Sequence, residues 1–492
     1  MTTGMQRLAW FTPLPPVRSG IAQYNADLLP ALAPSHQIDL FIDGRLQRCH
    51  ASIGPMEMFD AHDFVWKNRE HPYDLIVYQL GNAPCHDYMW AYLTRYPGLV
   101  VLHDGQLHHA RGRMLLQPPL PRPDDYRREF WFNHPHANPD LAELGAVGLL
   151  GSLTYLWPML RIVVESSRGV LVHNDWLAGQ IREAHPAAPV DVVEMGVPDP
   201  ASPPGARQQI RSRHRIAEDV VVFTAFGKVT PEKRVHEAIR ALASIAETVP
   251  HAHLLVAGEA VEHYDLKAEA EALGAGERVT FVGYLADDEI DDHLAASDVC
   301  LCMRWPTSRE TSASWLRCLA AGKPTISTDL VHTVDVPTLD PRNWSVLAGL
   351  SAAARRDPAS FGETRRSFGE GGKASTTTDA GETASEAKPV GVSIDILDEG
   401  HSLKLAIRRL ATDAKLRATL ASNARALWVE RFRLEEMVAG YQRVMAQLLQ
   451  AAPERSDGLK TLPLHLRSNG AEHAESIVKE ILGSEYHLRD AD

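Results

Sequence analysis

Residues 220–235 read VVVFTAFGKVTPEKRV, and the rest of the chain is interpreted outward from them. The apolar run from Val220 to Phe226 suits a parallel strand buried on both faces. Gly227 ends it. Lys228, a turn at Thr230–Pro231 and Lys233–Arg234 then open a helix predicted over HEAIRALASIAETV. Cations therefore gather where a helix N-terminus already offers unpaired N–H groups, which is a place for a diphosphate. Taken alone, the same segment also reads as an ordinary solvated strand-to-helix loop.

The flanking sequence repeats the pattern. AHLLVAG (252–258) is a second short buried strand, stopped by Gly258. ERVTFVGYL (277–285) is a third, followed by a helix from about Asp288 and the strand DVCLCM (298–303). Strands alternating with helices predict a parallel, doubly wound sheet, whose ligands bind beyond the carboxyl ends of the strands. In RWPTSRETSASWLRCLAAGKPTIST (304–328), Thr311 or Ser312 is a good N-cap. Trp315, Leu316 and Leu319 form an apolar stripe, and Gly322 with Pro324 supplies the stop. Glu310 stands just ahead of this helix, either compensating its dipole or addressing a ligand.

In order, FGKVTPEKR, LLVAG, RVTFVGY, SDVCLCM and SRETSASWLRCLAAGKP resemble the C-terminal half of retaining glycosyltransferases of the GT-B fold, family GT4 (glycosyl transferases group 1). The resemblance extends to most of the chain. It implies two Rossmann-like, doubly wound α/β domains facing a cleft. It also implies a nucleoside-diphosphate sugar as donor, no metal or other cofactor, and retention at the anomeric carbon. Lys228 and Lys233 match the basic pair that binds the donor diphosphate; the first is more often arginine, so a bidentate guanidinium is replaced by a point charge. Gly283–Tyr284 matches a stretch whose backbone meets the nucleobase. Glu310 matches the glutamate near the transferred sugar, with Thr311, Ser312 and Ser314 beside it on the donor. Arg317 occupies the place of the family's second glutamate, which holds the ribose. This ETSxSxxR variant reads as a subfamily trait, with Arg317 either structural or facing a phosphate.

The N-terminal half opens with RLAWFTPLPPVRSGIAQYNADLLPALA (7–33): a strand, a Pro-rich loop, Ser19–Gly20 and a helix. By the resemblance, Ser19–Gly20 is a glycine loop set against donor phosphates and acceptor. The strands DLIVYQL and GLVVLHD follow. The second ends in His103–Asp104, matching a strand-end histidine that lies over the transferred sugar. His86, His103, His108, His109, His134 and His136 are numerous, yet they lack a matching carboxylate constellation, so no metal site is assigned. Arg111 and Arg113 read as a solvated helical face, or as groups for an acidic acceptor.

A chain of 492 residues exceeds one core and predicts two domains of about 200 residues each. Punctuation places an acceptor domain at 1–195, a Pro-rich linker at 196–218 with a hinge at Gly196, and a donor domain at 219–425. By the resemblance, helices at 426–451 are expected to return to the first domain; a tail at 452–492 follows. Residues 355–388 are poor in apolar side chains and predict a disordered insertion. The tail segment AEHAESIVKEIL reads as an oligomer contact or a frayed end.

A net charge of −13 argues against a nucleic-acid partner. Five cysteines without paired spacing, and no signal peptide, fit a reduced cytoplasm. The most apolar stretch, LGAVGLLGSLTYLWPMLRIVVESS (144–167), approaches the length of a membrane span. Gly148, Gly151, Pro158 and Arg161 make a buried helix the expectation, and peripheral contact of the enzyme with the inner face of a membrane a second one. Asp287–Asp288–Glu289–Ile290–Asp291 matches the DDxxD magnesium-diphosphate motif, but acidic residues are expected at a helix start in any case. By the resemblance, a glycan, glycolipid or small-molecule acceptor is expected, its identity not being marked in the sequence. The rival reading, motivated by Arg317, is a non-catalytic scaffold that binds a nucleotide or glycan.

Overall fold

A computed structural model describes residues 5–44, 54–307, 310–328, 336–347, 388–450 and 461–467. The expected insertion, apart from Lys388, and the segment AEHAESIVKEIL lie outside the described residues. The chain divides into two compact units, one of Met1–Val172, Gln180–Asp191 and Gln442–Asp492, the other of His173–Gly179 and Val192–Tyr441.

The first sheet contains β1 (Gln6–Phe11), β2 (His36–Ile42), β3 (Glu57–Asp60), β4 (Leu75–Leu80), β5 (Leu99–Leu102), β6 (Gly169–Val172) and β7 (Val190–Val192), in the order β3-β2-β1-β4-β5-β6-β7. The pairings from β3 across to β6 are parallel. β5 is buried at every position and β1 over its last four, as sheet strands covered on both faces require. Phe11, Phe41, Phe64 and Tyr78 pack ring against ring beside the sheet. The end of the helix Leu434–Gln450 joins this unit, where Leu448 O accepts from Arg168 Nη2 at 2.7 Å.

The second sheet contains β8 (Val221–Phe226), β9 (Ala252–Ala257), β10 (Val279–Phe281), β11 (Val299–Cys302), β12 (Thr325–Thr328), β13 (Thr338–Leu339), β14 (Val346–Leu347) and β15 (Gly391–Ile394). Their order is β10-β9-β8-β11-β12-β15-β13-β14. Only the β13–β14 pair is antiparallel among the described pairings. The strand order reverses between β1 and β4 in the first sheet and between β8 and β11 in the second. Those are the points where open α/β sheets leave a crevice for ligands.

Two stretches fold differently from expectation. Residues 144–167 form no single buried helix. The helix Asp140–Ala146 is followed by Gly148 (φ +76°), a 3-10 turn Gly151–Leu156 opens on Gly151 (φ +51°), and the helix Arg161–Ser166 follows. Left-handed glycines stop a helix whatever the hydropathy of its neighbours. Val147, Leu149, Leu153 and Leu156 are left exposed. Among the described residues no helix is long and apolar enough to cross a membrane. The second stretch is the expected linker at 196–218, which carries the helix Ala206–Arg213. Its Arg211 is buried, donating to Ala296 O at 3.2 Å and Asp298 Oδ2 at 2.7 Å, while Val197 bridges to Arg433.

Candidate functional site

In the second unit, the carboxyl ends of β8 and β11 border a small recess lined by Phe226, Lys233, Cys302, Arg304, Ser312 and Ser314, together with Leu301 and Met303. Local sequence places each group. Gly227 takes φ +84°, a conformation that a side chain strains to adopt, and a Cβ there would stand 3.0 Å from Lys233 Nζ. The chain thereby turns sharply off β8 into the 3-10 turn Pro231–Lys233. Lys233 folds back to donate from Nζ to Phe226 O. Burial, and then the nearby Arg304 guanidinium, bring its ammonium down to a pKa of about 8.

Arg304 follows β11 directly. Its backbone N–H donates to Thr328 Oγ1 at 2.9 Å and its guanidinium pairs with Glu310. Glu310 is 8% exposed and also accepts from Thr307 Oγ1 at 3.2 Å. Ser312 is the N-cap of the helix Ala313–Ala320, accepting from Trp315 N–H at 3.3 Å. Trp315 anchors that helix: it is 2% exposed, its Nε1–H donates to Thr325 Oγ1 at 3.3 Å, and its ring meets Phe432 edge-on. Burial of this one side chain, worth about 3–5 kcal/mol, sets where Ser312 and Ser314 stand. The recess thus combines two cations and two hydroxyls, an arrangement that can take an anionic group, while Glu310 stands behind the lining on Arg304.

Not every expected donor residue reaches this recess. Lys228 is exposed on the loop beyond Gly227, outside the lining, as are Gly283 (φ +81°) and half-exposed Tyr284 after β10. Thr311 is turned toward His173 and Asn174, with its Oγ1 3.4 Å from His173 O and 3.3 Å from Asn174 Nδ2. Arg317 lies in electrostatic reach of Asp287, whose carboxyl is pushed up by burial and partly restored by that guanidinium. Arg234 leaves the site altogether, taking φ +56° and pairing with Glu399. Arg304 was not singled out from sequence. The available signal was a cation directly after a buried strand, the same position that Lys228 holds after β8.

In the first unit, a second polar cluster caps β4 and β5. His103 Nε2 is 2.6 Å from Gln79 Oε1; an amide oxygen only accepts, so Nε2 carries the proton. Tyr24 meets the imidazole edge-on at 4.7 Å. Asp104 Oδ2 accepts from Asn82 N–H at 2.7 Å. Ser19 caps the helix Gly20–Leu32, accepting from Ile21 N–H at 3.2 Å.

Several charged residues are structural. Arg111, read as solvent-facing, is 2% exposed, paired with buried Glu129 and stacked on Trp90. Arg113 pairs with Asp87 at 2.6 Å. A buried guanidinium needs a partner carboxylate, and the helix Pro123–Asn133 supplies Glu129 for Arg111. Of the DDxxD-like acids, Glu289 pairs with Arg213 and Asp291 accepts from Ala201 N–H. His86 and His108 are buried, and burial lowers each to a pKa of about 4. Among the described residues no group of three or more His, Cys, Asp or Glu side chains is placed to hold a metal ion.

Residues 206–336 match the family model described as Glycosyl transferases group 1. A GDP-mannose-dependent alpha-(1-6)-phosphatidylinositol monomannoside mannosyltransferase of Mycobacterium tuberculosis is 33% identical over 120 residues, covering 23% of this chain and 30% of that protein. Mannosylfructose-phosphate synthase of Agrobacterium fabrum is 31% identical over 131 residues, 25% of this chain and 28% of that protein. The chain therefore spans less than a third of the length of these curated relatives. Among solved structures, Anabaena HepE in complex with UDP and glucose superposes with a TM-score of 0.57 at 16% identity, covering 90% of this chain and 100% of that one. Two doubly wound sheets and this likeness over nine-tenths of the chain give it the GT-B fold, with residues 206–336 similar to the glycosyl transferases group 1 model.

Proposed function

We propose that the protein is a glycosyltransferase that moves a sugar from a nucleoside-diphosphate donor to a hydroxyl of a glycan, glycolipid or small-molecule acceptor, with retention at the anomeric carbon. The observation that carries this reading is the recess where Lys233, Arg304, Ser312 and Ser314 converge at the strand-order reversal, with Glu310 paired to Arg304 behind it, within the segment matching the family model. The names of the relatives, a mannosyltransferase dependent on GDP-mannose and a sugar-phosphate synthase, support the same class.

In this reading Lys233 and Arg304 neutralise the charge that grows on the departing diphosphate, a term that commonly dominates such catalysis. Ser312 and Ser314 donate to its oxygens. Glu310, pinned by Arg304 and Thr307, orients the sugar. His103 takes the role of the family's strand-end histidine on the transferred sugar, with Asp104 setting the loop behind it through Asn82. Ser19–Gly20 adds backbone and hydroxyl dipoles. Lys228, Gly283, Tyr284 and Thr311 contact the donor's outer parts. Because resident cations supply the positive charge, turnover is expected to persist in excess EDTA. The free thiols fit a reducing compartment, and the cytoplasm is the proposed one.

The test is calorimetric titration with UDP, GDP, ADP, TDP and CDP, followed by a product assay with the matching nucleotide sugars. One nucleotide is expected to bind, with binding lost in Lys233→Ala, and its sugar to be transferred or slowly hydrolysed with retained configuration. Binding without turnover on any sugar would favour the scaffold reading. Silence from all five nucleotides would overturn the donor site.

A further inference from the structure

Three thiols meet beside the recess. Cys300 and Cys302 alternate along β11, so both project to one face of the sheet, where Cys318 comes down from the helix Ala313–Ala320. Cys302 Sγ and Cys318 Sγ are 4.0 Å apart. Cys300 and Cys318 are buried, whereas Cys302 is half-buried and lines the recess with Lys233, Arg304 and Ser314. All four described cysteines are free.

We propose that Cys302 is a thiol-modification site within the recess, where a peroxide oxidises it and Cys318 to a disulfide that excludes a diphosphate. A peroxide oxygen bonds to the Cys302 sulfur as the O–O bond breaks, giving a sulfenic acid and one water. The Cys318 sulfur then attacks the Cys302 sulfur, the S–O bond breaks, and the oxygen leaves as a second water carrying the Cys318 proton. Two thiols are oxidised and one hydrogen peroxide is reduced to two waters, so no further reactant is needed.

Exposure sets the order. Cys318 is buried and Cys302 half-buried, so an external oxidant reaches Cys302 first and Cys318 is the internal partner. The sulfurs must close from 4.0 Å to about 2.0 Å, which re-aims the Cys302 side chain, itself part of the recess lining beside Arg304 and Ser314. The effect on diphosphates rests on the function proposed above; the chemistry of the two thiols does not.

The experiment treats the reduced full-length protein with hydrogen peroxide. Mass spectrometry of the digest then identifies linked peptides, and titration with the same five nucleotides reads the recess before oxidation, after it, and after dithiothreitol. A Cys302–Cys318 link is expected, with affinity for the binding nucleotide falling about tenfold or more, as loss of charge-assisted hydrogen bonds implies, and recovering on reduction. Cys318→Ser is expected to form no link and to trap dimedone on Cys302; Cys318→Ala repeats the test should the serine variant misfold. Absence of both the link and the dimedone adduct overturns the site. A link that leaves nucleotide affinity unchanged overturns its effect on the recess. Failure of the reduced protein to bind any nucleotide overturns the function proposed above, while the linked peptide still reports the thiol site.

Discussion

The two strand-end clusters stand on sheets with the same reversal of strand order, yet they hold their polar groups in opposite ways. In the first unit, His103 is hydrogen-bonded to Gln79 and Asp104 accepts from Asn82 N–H, so the imidazole is oriented before any ligand arrives. In the second, Lys233 and Arg304 crowd two positive charges against one carboxylate, and the ammonium is desolvated enough to lower its pKa to about 8. The first arrangement positions; the second leaves positive charge for which an anion is the natural complement. The same topology therefore supports two kinds of site, and the side chains at the strand ends decide which.

The comparison breaks most sharply at Lys233. Lys233→Ala is expected to lower kcat/KM by about 10²- to 10³-fold, the loss typical of removing one group that stabilises developing negative charge. Thermal unfolding of the same variant should change little, because removing a desolvated ammonium also removes its burial cost. Wild-type steady-state kinetics in Lys233→Ala would sink the assignment.

His103→Ala probes the other side. A loss of about tenfold to a hundredfold in kcat is expected from lost positioning, with nucleotide affinity from calorimetry kept within a factor of about three. Nucleotide affinity falling in step with kcat would mean that the first cluster also holds charge, and the contrast would fail.

The lowered pKa of Lys233 sharpens the contrast through pH. Between about 8 and the ordinary 10.5 the folded protein has released a proton that the unfolded chain still holds. The cost of burying the ammonium is thus full below pH 8, and stability gains as pH rises through that window. Binding of a diphosphate runs the other way, because it needs the ammonium. Affinity measured by titration should fall by up to about tenfold per pH unit above 8, and Lys233→Arg should flatten that slope. An affinity flat from pH 7 to 9.5 in the wild type would refute the role of this charge.

The smallest effect is expected at Lys228, exposed outside the recess lining. Lys228→Ala should weaken nucleotide binding about two- to fivefold at low ionic strength and not measurably at high salt. A salt-independent loss as large as that of Lys233→Ala would mean that the loop after Gly227 folds onto the ligand.

Much of the second sheet is legible in the chain. The runs at Val220–Phe226, Ala252–Ala257 and Asp298–Met303 become β8, β9 and β11 to within a residue or so, and Ser312 caps the predicted helix. Each is decided by side chains within a few residues of one another. The stretch 144–167 defeats the same approach, because its hydropathy is that of a buried helix while two left-handed glycines partition it into short turns. Arg111 defeats it differently: nothing near it in sequence marks Glu129 and Trp90 as its partners.

Sequence by itself determined the alternation of strands and helices, the glycine that ends β8, the cations that follow, and the glutamate ahead of a capped helix. These depend on backbone sterics and short-range periodicity, which act locally. Only the tertiary structure decided that Lys233 rather than Lys228 lines the recess, that Arg234 belongs to Glu399, that Arg304 holds Glu310, and that Cys302 faces Cys318. A side chain's partner is set by which strand ends the sheet order brings side by side, and by the cost of leaving a buried charge unpaired, and both depend on the whole fold.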